Sequence, residues 1–133
     1  MKYILFISIL FSSSCILDTW DNRLIAVNNS DKKILYYWDI KKCHDTMIGP
    51  QDCHYKALYD SPPKIKEQYI ITQNKWEFAL KDSFVLMFHV FDPDTAKKYG
   101  ICKMFKERKY LKQYILTYKD LEKINWKIEY NSK

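Results

Sequence analysis

Glycine is scarce in this sequence: its 133 residues contain only two, Gly49 and Gly100. Loops that cradle phosphate groups need several glycines at fixed spacing, because the backbone must approach the ligand closely. Neither glycine has neighbours of that kind, and the Gly-x-Ser-x-Gly elbow of acyl-transfer hydrolases does not occur. Nucleotide binding and acyl transfer are therefore poor interpretations of this chain.

The apolar stretch near the start of the chain is too short to span a bilayer. It runs for nine residues from Tyr3 to Phe11, about 14 Å as a helix, whereas a membrane core needs roughly 20 apolar residues. Lys2 precedes it, and three serines follow it directly before Cys15. This layout is typical of a secretory signal, so the sequence predicts export rather than a transmembrane anchor.

The small residues before Cys15 resemble a lipobox, the site at which lipoprotein signal peptidase cuts once the cysteine has been acylated. The resemblance implies a signal peptide over residues 1–14 and a membrane attachment through lipid on Cys15. Ser12 stands where most lipoboxes have leucine, and the alternative is an ordinary signal peptide followed by an unmodified cysteine. Two or three acyl chains anchor a protein durably, at about 0.8 kcal/mol per buried methylene. We expect a cell-envelope location, at the outer membrane.

The rest of the chain has the composition of one folded domain. Hydrophobic residues make up 47% of the sequence and aromatic residues 17%, which is too much apolar surface for a disordered chain. We expect a tether over residues 15–22 and a single domain over residues 23–133, long enough to bury one core. The net charge of +6 favours anionic lipid or polysaccharide as partners, and export makes nucleic acid the poorest partner.

Short strands separated by turn signals dominate this domain. Residues 84–91 are apolar on both faces apart from His89, as expected of a central strand covered on each side. Residues 126–130 alternate between apolar and charged, as expected of a strand with one wet face. Further strands are predicted at 23–27, 34–38, 69–71, 76–80 and 110–116, with the first two joined as a hairpin by the turn at 28–31.

Two short helices are predicted in the C-terminal half. Asp92 has the properties of a helix cap, Pro93 suits the first helical position and Gly100 suits the end. The segment 117–120 has the pattern of a capping box before a second helix over 121–124. The sequence therefore predicts a mainly β fold, an antiparallel β-sandwich of immunoglobulin-like or related type with one or two short helices.

Three segments resemble a family of small lipoproteins of Bacteroides-type bacteria that have no assigned activity. They are VNNSDK at residues 27–32, FHVFDPDT at 88–95 and YKDLEKINWKIEY at 118–130. The resemblance implies a compact β-sandwich and an envelope location, and it implies nothing about mechanism. This sequence departs from the family by carrying two Cys-His pairs, at residues 43–44 and 53–54.

The cysteines that follow Cys15 predict a disulfide. Cys43 and Cys53 flank a Gly-Pro turn, and a bridge between them would contribute about 2 to 3 kcal/mol in an oxidising compartment. Cys102 is then left unpaired, as a buried and inert thiol. The two Cys-His pairs could instead hold zinc or remain free, but adjacent ligands seldom converge on one tetrahedral ion. We therefore predict no metal and no cofactor.

Aromatic residues are one candidate for a functional surface, as a sugar-stacking platform or a protein-binding patch, although most of them should be core. In the strand predicted at 34–38, Tyr36 and Trp38 share one face and Tyr37 takes the other, and one of these sets must be buried. The aromatic residues concerned are Trp20, Tyr36, Tyr37, Trp38, Tyr55 and Tyr59.

Basic residues are the remaining candidate. Seven basic residues lie between positions 97 and 112, and they form either a patch facing a polyanion or a solvated face. Only clustering in space would favour the patch. No catalytic residues are predicted, and the chain is interpreted as a non-enzymatic binding or structural module, with an envelope protein or a polysaccharide as partner. The alternative is a glycan-binding or glycan-processing accessory protein. The basic residues are Lys97, Lys98, Lys103, Lys106, Arg108, Lys109 and Lys112.

Overall fold

The structure, a computed structural model, describes residues 20–43, 58–63 and 65–132. These residues form seven strands and four short helices. The strands are β1 Asp21–Asn28, β2 Ile34–Lys42, β3 Tyr59–Ser61, β4 Ile65–Thr72, β5 Phe84–Phe91, β6 Lys112–Leu116 and β7 Lys127–Tyr130. The helices are α1 Trp76–Ala79, α2 Pro93–Tyr99, α3 Ile101–Lys106 and α4 Tyr118–Lys123. None of the helices in these ranges has the length and apolar character needed to cross a bilayer.

The strands form two sheets, and the predicted mainly β sandwich is confirmed. The three-stranded sheet has the order β4-β1-β7, and the four-stranded sheet has the order β3-β2-β5-β6. Strands β1 and β7 pair in parallel, whereas the other pairs are antiparallel. The parallel pair joins the two ends of the described chain, which a local sequence pattern does not reveal.

The predicted hairpin between β1 and β2 is wrong, because these strands belong to different sheets. The buried side chain of Asn28 holds the connection between them. Its Nδ2 donates to the backbone oxygens of Lys32, Ser61 and Pro62 at 2.9 to 3.0 Å, and its Oδ1 accepts from Ser30 Oγ at 2.6 Å. One amide thus satisfies buried carbonyls on both sides of the arch, and the chain passes from one sheet to the other.

The core between the sheets is aliphatic and aromatic. Leu24, Ile70 and Ile128 project from the three-stranded sheet against Leu86 and Phe88 of the four-stranded sheet. The alternation along β2 places Tyr36 and Trp38 in this core and Tyr37 on the opposite face, where it is also buried. The sequence predicted the division into two faces, and both faces are covered.

A second hydrophobic cluster lies on the outer face of the four-stranded sheet. Tyr37 and Phe91 contact Met104 and Phe105 of α3 there. Strand β5 is therefore covered on both sides, as predicted for residues 84–91, and its last seven residues are all buried. The structure has three layers: a sheet, a second sheet and a pair of short helices.

The predicted helix caps are confirmed, although α4 begins at Tyr118 and not at residue 121, whereas the strand predicted over residues 76–80 is wrong. Asp92 Oδ2 accepts from the Thr95 N–H at 2.8 Å at the start of α2, and Thr117 and Asp120 form a capping box before α4. Residues 76–79 form α1 instead of a strand. Trp76 and Leu80 are buried four positions apart, whereas the residues between them are more exposed. This is a helical period, although too short to be distinguished from a strand in the sequence.

Candidate functional site

The cysteines are arranged differently from the prediction. Cys43 is a free, exposed thiol, so the predicted bridge between Cys43 and Cys53 is wrong, and Cys102, predicted to be unpaired, is disulfide-bonded. Two cysteines that are close in sequence close a short loop at a small entropic cost, but this does not orient their Cβ atoms towards each other. At the end of β2 the backbone of Cys43 is fixed by a hydrogen bond from its N–H to the Ser83 oxygen at 2.6 Å.

Several predicted positions lie outside the described residues. Cys15, Cys53 and the histidines at 44 and 54 belong to this group, so the lipid site and the Cys-His pairs stay predictions. Within residues 20–43, 58–63 and 65–132, no three His, Cys, Asp or Glu side chains are grouped closely enough to hold a metal ion.

An arginine with two carboxylates occupies the end of the sandwich at which the described chain begins. Arg23 Nη2 lies 2.6 Å from Asp21 Oδ2 and 2.7 Å from Glu77 Oε2. Since both oxygens contact one nitrogen, they lie within about 5 Å of each other, the order of separation that retaining glycosidases use. A shallow cleft of about 280 Å³ is lined by these three side chains together with Trp20 and Lys75.

The electrostatics of this cleft do not suit acid-base catalysis. Hydrogen bonds from the Arg23 side chain lower the pKa of Asp21. The Glu77 carboxylate accepts hydrogen bonds from its own backbone N–H and, with a smaller effect, from Arg23, and both lower its pKa. A glycosidase needs one carboxyl group whose pKa is raised so that it can donate a proton. Asp21 also accepts from the Trp76 N–H at 3.1 Å, so its oxygens are occupied by structural hydrogen bonds.

The same arginine connects three elements of the fold. Its guanidinium lies 4.3 Å from the centre of the Trp126 ring, and Glu77 Oε1 accepts from the Tyr118 hydroxyl at 3.1 Å. The start of β1, helix α1 and helix α4 are therefore tied together by one ion-pair network. We interpret this cluster as a structural clamp.

His89 is the titratable residue buried in the helix-covered face of the four-stranded sheet. Its side chain is 2% exposed, and burial lowers its pKa to about 4, against a weaker opposing effect of Asp39. Its Nε2 lies 2.9 Å from Gln113 Nε2, and Gln113 Oε1 accepts from the Tyr110 hydroxyl at 3.1 Å. The other ring nitrogen, Nδ1, has no hydrogen-bond partner in the described part of the chain.

Aromatic rings enclose this histidine. The ring centres of Phe105, Tyr110 and Phe91 lie 5.2, 5.3 and 6.0 Å from that of His89. A substrate has no path to a side chain with this exposure, and an imidazole whose pKa is about 4 stays neutral at pH 7. His89 is therefore a polar element of the packing.

A groove lies between β6 and β7, which are edge strands of the two sheets in the described structure. It consists of two adjoining depressions of about 470 and 440 Å³ that share Tyr114 and Glu129. The Tyr114 hydroxyl donates to the Glu129 backbone oxygen at 2.8 Å and joins the two sheet edges. Its charged lining residues are Lys112, Lys127 and Glu129, and Lys127 Nζ lies 3.2 Å from Glu129 Oε1.

Three of the seven basic residues between positions 97 and 112 lie close together in space. The ammonium groups of Lys98, Lys103 and Lys109 lie 5.1, 5.2 and 4.1 Å from the centre of the Tyr99 ring. Glu107 is 3.7 Å from Lys103 and 3.2 Å from Lys109. We refer to Lys98, Tyr99, Lys103 and Lys109 as the Tyr99 surface. The clustering that the sequence could not establish is thus present.

Sequence reasoning missed the clamp of Asp21, Arg23 and Glu77. Residues 21–22 were assigned to the tether, and 54 positions separate Arg23 from Glu77. The available signal was the spacing of Asp21 and Arg23, two residues apart and therefore on one face of a strand.

Comparisons with protein-family models, with curated proteins and with solved structures found no match.

Proposed function

We propose that this chain is a cell-envelope lipoprotein, anchored at the outer membrane by lipid on Cys15, which displays its β-sandwich as a binding or structural module. The observation that carries the proposal is the arrangement of the first 15 residues, in which an apolar stretch and three serines directly precede Cys15. Five residues separate Cys15 from Asp21, the start of β1, so the two positions are six residue steps apart, at most about 22 Å when fully extended. The sandwich therefore stays next to the membrane.

The proposed role is binding rather than catalysis. Its support is that three titratable groups of the described residues already have structural partners: Asp21 and Glu77 bind Arg23, and His89 is enclosed by aromatic rings. Glycan binding is the second function that we propose, and the observation that favours it is the Tyr99 surface. The processing version of that function receives no support from Asp21 and Glu77, because both have lowered pKa values.

Intact-mass analysis tests the anchor. The protein is purified from the native membrane in detergent, beside a Cys15→Ala variant expressed in the same way. We expect a mature chain that begins at Cys15 and carries the mass of its acyl chains, and we expect the variant to lack this mass and to leave the membrane fraction. An unlipidated wild-type chain would contradict the proposal, wherever that chain begins.

A further inference from the structure

Most of the net positive charge of this chain lies in one short segment. Residues 93–112 contain seven Lys and Arg residues and two acidic residues, a net charge of +5, whereas the whole chain has a net charge of +6. The remainder of the chain is therefore nearly neutral. An asymmetry of this kind creates a local positive potential that attracts anionic partners.

The backbone of this segment turns between α2 and α3, and it turns again after α3. Helix α2 ends at Tyr99, its C-cap Gly100 has a φ of +74° that suits glycine, and α3 begins at Ile101. The Lys109 N–H then bonds to the Met104 oxygen at 2.8 Å and closes the turn after α3. Lysines from both helices and from this turn thereby reach the same ring, that of Tyr99.

Among the described residues, the ammonium groups at the Tyr99 surface are only partly neutralised. Three of them lie within 5.2 Å of the ring centre, and Glu107 is the acidic side chain paired with two of them. The apolar cluster beneath the helices is built from Met104, Phe105 and their neighbours, and it does not use these charges. Like charges held together repel each other, and a bound anion would relieve this repulsion.

The surface lies away from the point at which the chain enters the sandwich. Strand β1 runs from Asp21, beside α1, to Asn28, beside the start of β2, a length of about 23 Å. Strand β5 begins after α1 and ends at Phe91, directly before α2. The helices α2 and α3 cover the Phe91 end of the four-stranded sheet, on the face opposite the other sheet. A domain held to lipid by its N-terminus therefore presents this surface away from that lipid.

We propose that the Tyr99 surface is the docking site for an acidic polysaccharide, whose carboxylate or sulfate groups pair with Lys98, Lys103 and Lys109. The choice of a polysaccharide rather than a bilayer rests on the proposed anchor at Cys15, since the surface faces away from the anchored end. Lys97, Lys106 and Lys112 are exposed in the same segment and add to its positive charge. The interaction is electrostatic and weakens as salt rises.

The test uses the mature chain, purified in nonionic detergent, with polygalacturonate as the acidic probe and dextran as the neutral control. Affinity is measured by calorimetry at low and at high salt. The test variant carries Lys98→Gln, Lys103→Gln and Lys109→Gln. The control variant removes the same charge elsewhere, through Lys75→Gln, Lys119→Gln and Lys123→Gln, all three of them exposed lysines. Circular dichroism establishes that both variants remain folded.

We expect the wild-type chain to bind polygalacturonate and not dextran, and the test variant to bind at least about tenfold more weakly. We expect the control variant to lose no more than about threefold, because these exposed lysines contribute only to the general field. Equal losses in both variants would overturn the proposal in favour of a net-charge effect. Binding of phosphatidylglycerol vesicles in place of polygalacturonate, with the same lysine dependence, would overturn it in favour of a lipid surface.

The same titration on the Cys15→Ala chain separates this proposal from the anchor. If that chain binds polygalacturonate with the same lysine dependence while the wild-type protein carries no acyl mass, the anchor fails and the docking site stands. If the wild-type protein is acylated but no chain binds the polymer, the docking site fails and the anchor stands.

Discussion

The two faces of the four-stranded sheet are both buried but are built differently. The face towards the second sheet packs aliphatic and aromatic side chains, such as Leu86 and Phe88, and large indole rings close its end. The face towards the helices contains His89, whose Nδ1 is buried without a hydrogen-bond partner in the described structure. The contribution of the first face to stability depends little on pH, because its side chains are mostly apolar. The second face contains His89, which binds a proton when the chain unfolds in acid.

This difference separates the stability of the fold from its sensitivity to conditions. The inter-sheet core supplies most of the apolar burial, which is the dominant favourable contribution to folding. The helix-covered face adds a disulfide-bonded residue, Cys102, and a titratable group to a smaller apolar cluster. We therefore expect substitutions in the core to have the largest effects at every pH, and His89 to account for an acid-dependent part.

Trp76→Ala tests the core and should have the largest effect. Trp76 is fully buried and its ring centre lies 6.1 Å from Trp38 and 6.3 Å from Trp126. Its removal leaves a large cavity, so we expect the free energy of unfolding to fall by about 3 to 5 kcal/mol in urea titrations. The control is Phe78→Ala on the same helix, where the side chain is 70% exposed and the expected change is within about 0.5 kcal/mol. Similar losses of stability in both variants would contradict the assignment of Trp76 to the centre of the core.

His89→Phe tests the other face through its pH dependence. Burial lowers the pKa of His89 to about 4 in the folded state, against about 6.5 in an unfolded chain. As the pH falls, the unfolded chain binds the proton first, so the wild-type protein loses stability from about pH 6.5 down to about pH 4. The loss attributable to this one group is about 3 kcal/mol at pH 4. Phenylalanine keeps an aromatic ring in the cage and cannot bind the proton.

The measurement is the free energy of unfolding of both proteins from pH 7.5 to pH 4. Asp21, Glu77, Asp92 and Asp120 have lowered pKa values, and they also destabilise the protein in acid. Both proteins contain these carboxylates, so their contribution cancels in the difference. A loss of the His89–Gln113 contact appears as a constant offset, whereas the titration appears as a slope. Parallel curves would contradict the assignment of His89 as a buried neutral group.

Asn28→Ala tests the polar seam that joins the two sheets. The side chain is 1% exposed and donates to the Ser61 oxygen at 3.0 Å. Its removal leaves buried carbonyls without a donor, so we expect a loss of about 1 to 3 kcal/mol at all pH values. The neighbouring Asn29, which is exposed, provides the matched control as Asn29→Ala. A difference below about 0.5 kcal/mol between the two variants would show that water replaces the Asn28 amide without cost.

The features that the sequence predicted correctly are those with local signals. The apolar run at 84–91 indicated a buried central strand, and Asp92 with Pro93 indicated the start of α2, because side-chain caps and backbone constraints act within one turn. The alternation at 126–130 indicated β7, and Ile128 is buried in the core. In each case neighbouring residues contain the whole signal.

The features that the sequence did not predict depend on distant partners. The arch at Asn28 requires the Ser61 oxygen, 33 positions away, and the parallel pairing of β1 with β7 brings residue 25 beside residue 127. The spatial grouping of lysines around Tyr99 depends on the turn at Gly100 between two short helices. A residue pattern reports which side chains share a face but does not report what packs against that face.

Glu77→Gln tests the clamp at the edge of the core and should have the smallest effect. Glu77 and Asp21 both bind Arg23 Nη2, but the Glu77 side chain is 44% exposed and that of Asp21 is 8% exposed. An exposed ion pair contributes about 0 to 1 kcal/mol, because water competes for both charges. Asp21 also accepts from Arg23 Nε and from the Trp76 N–H, so Asp21→Asn should cost more, about 1 to 3 kcal/mol.

The measurement is the free energy of unfolding of both variants in urea at pH 7, at low and at high salt. We expect a small, salt-sensitive loss for Glu77→Gln and a larger, salt-insensitive loss for Asp21→Asn. If Glu77→Gln cost as much as Asp21→Asn, the clamp would belong to the core rather than to its surface.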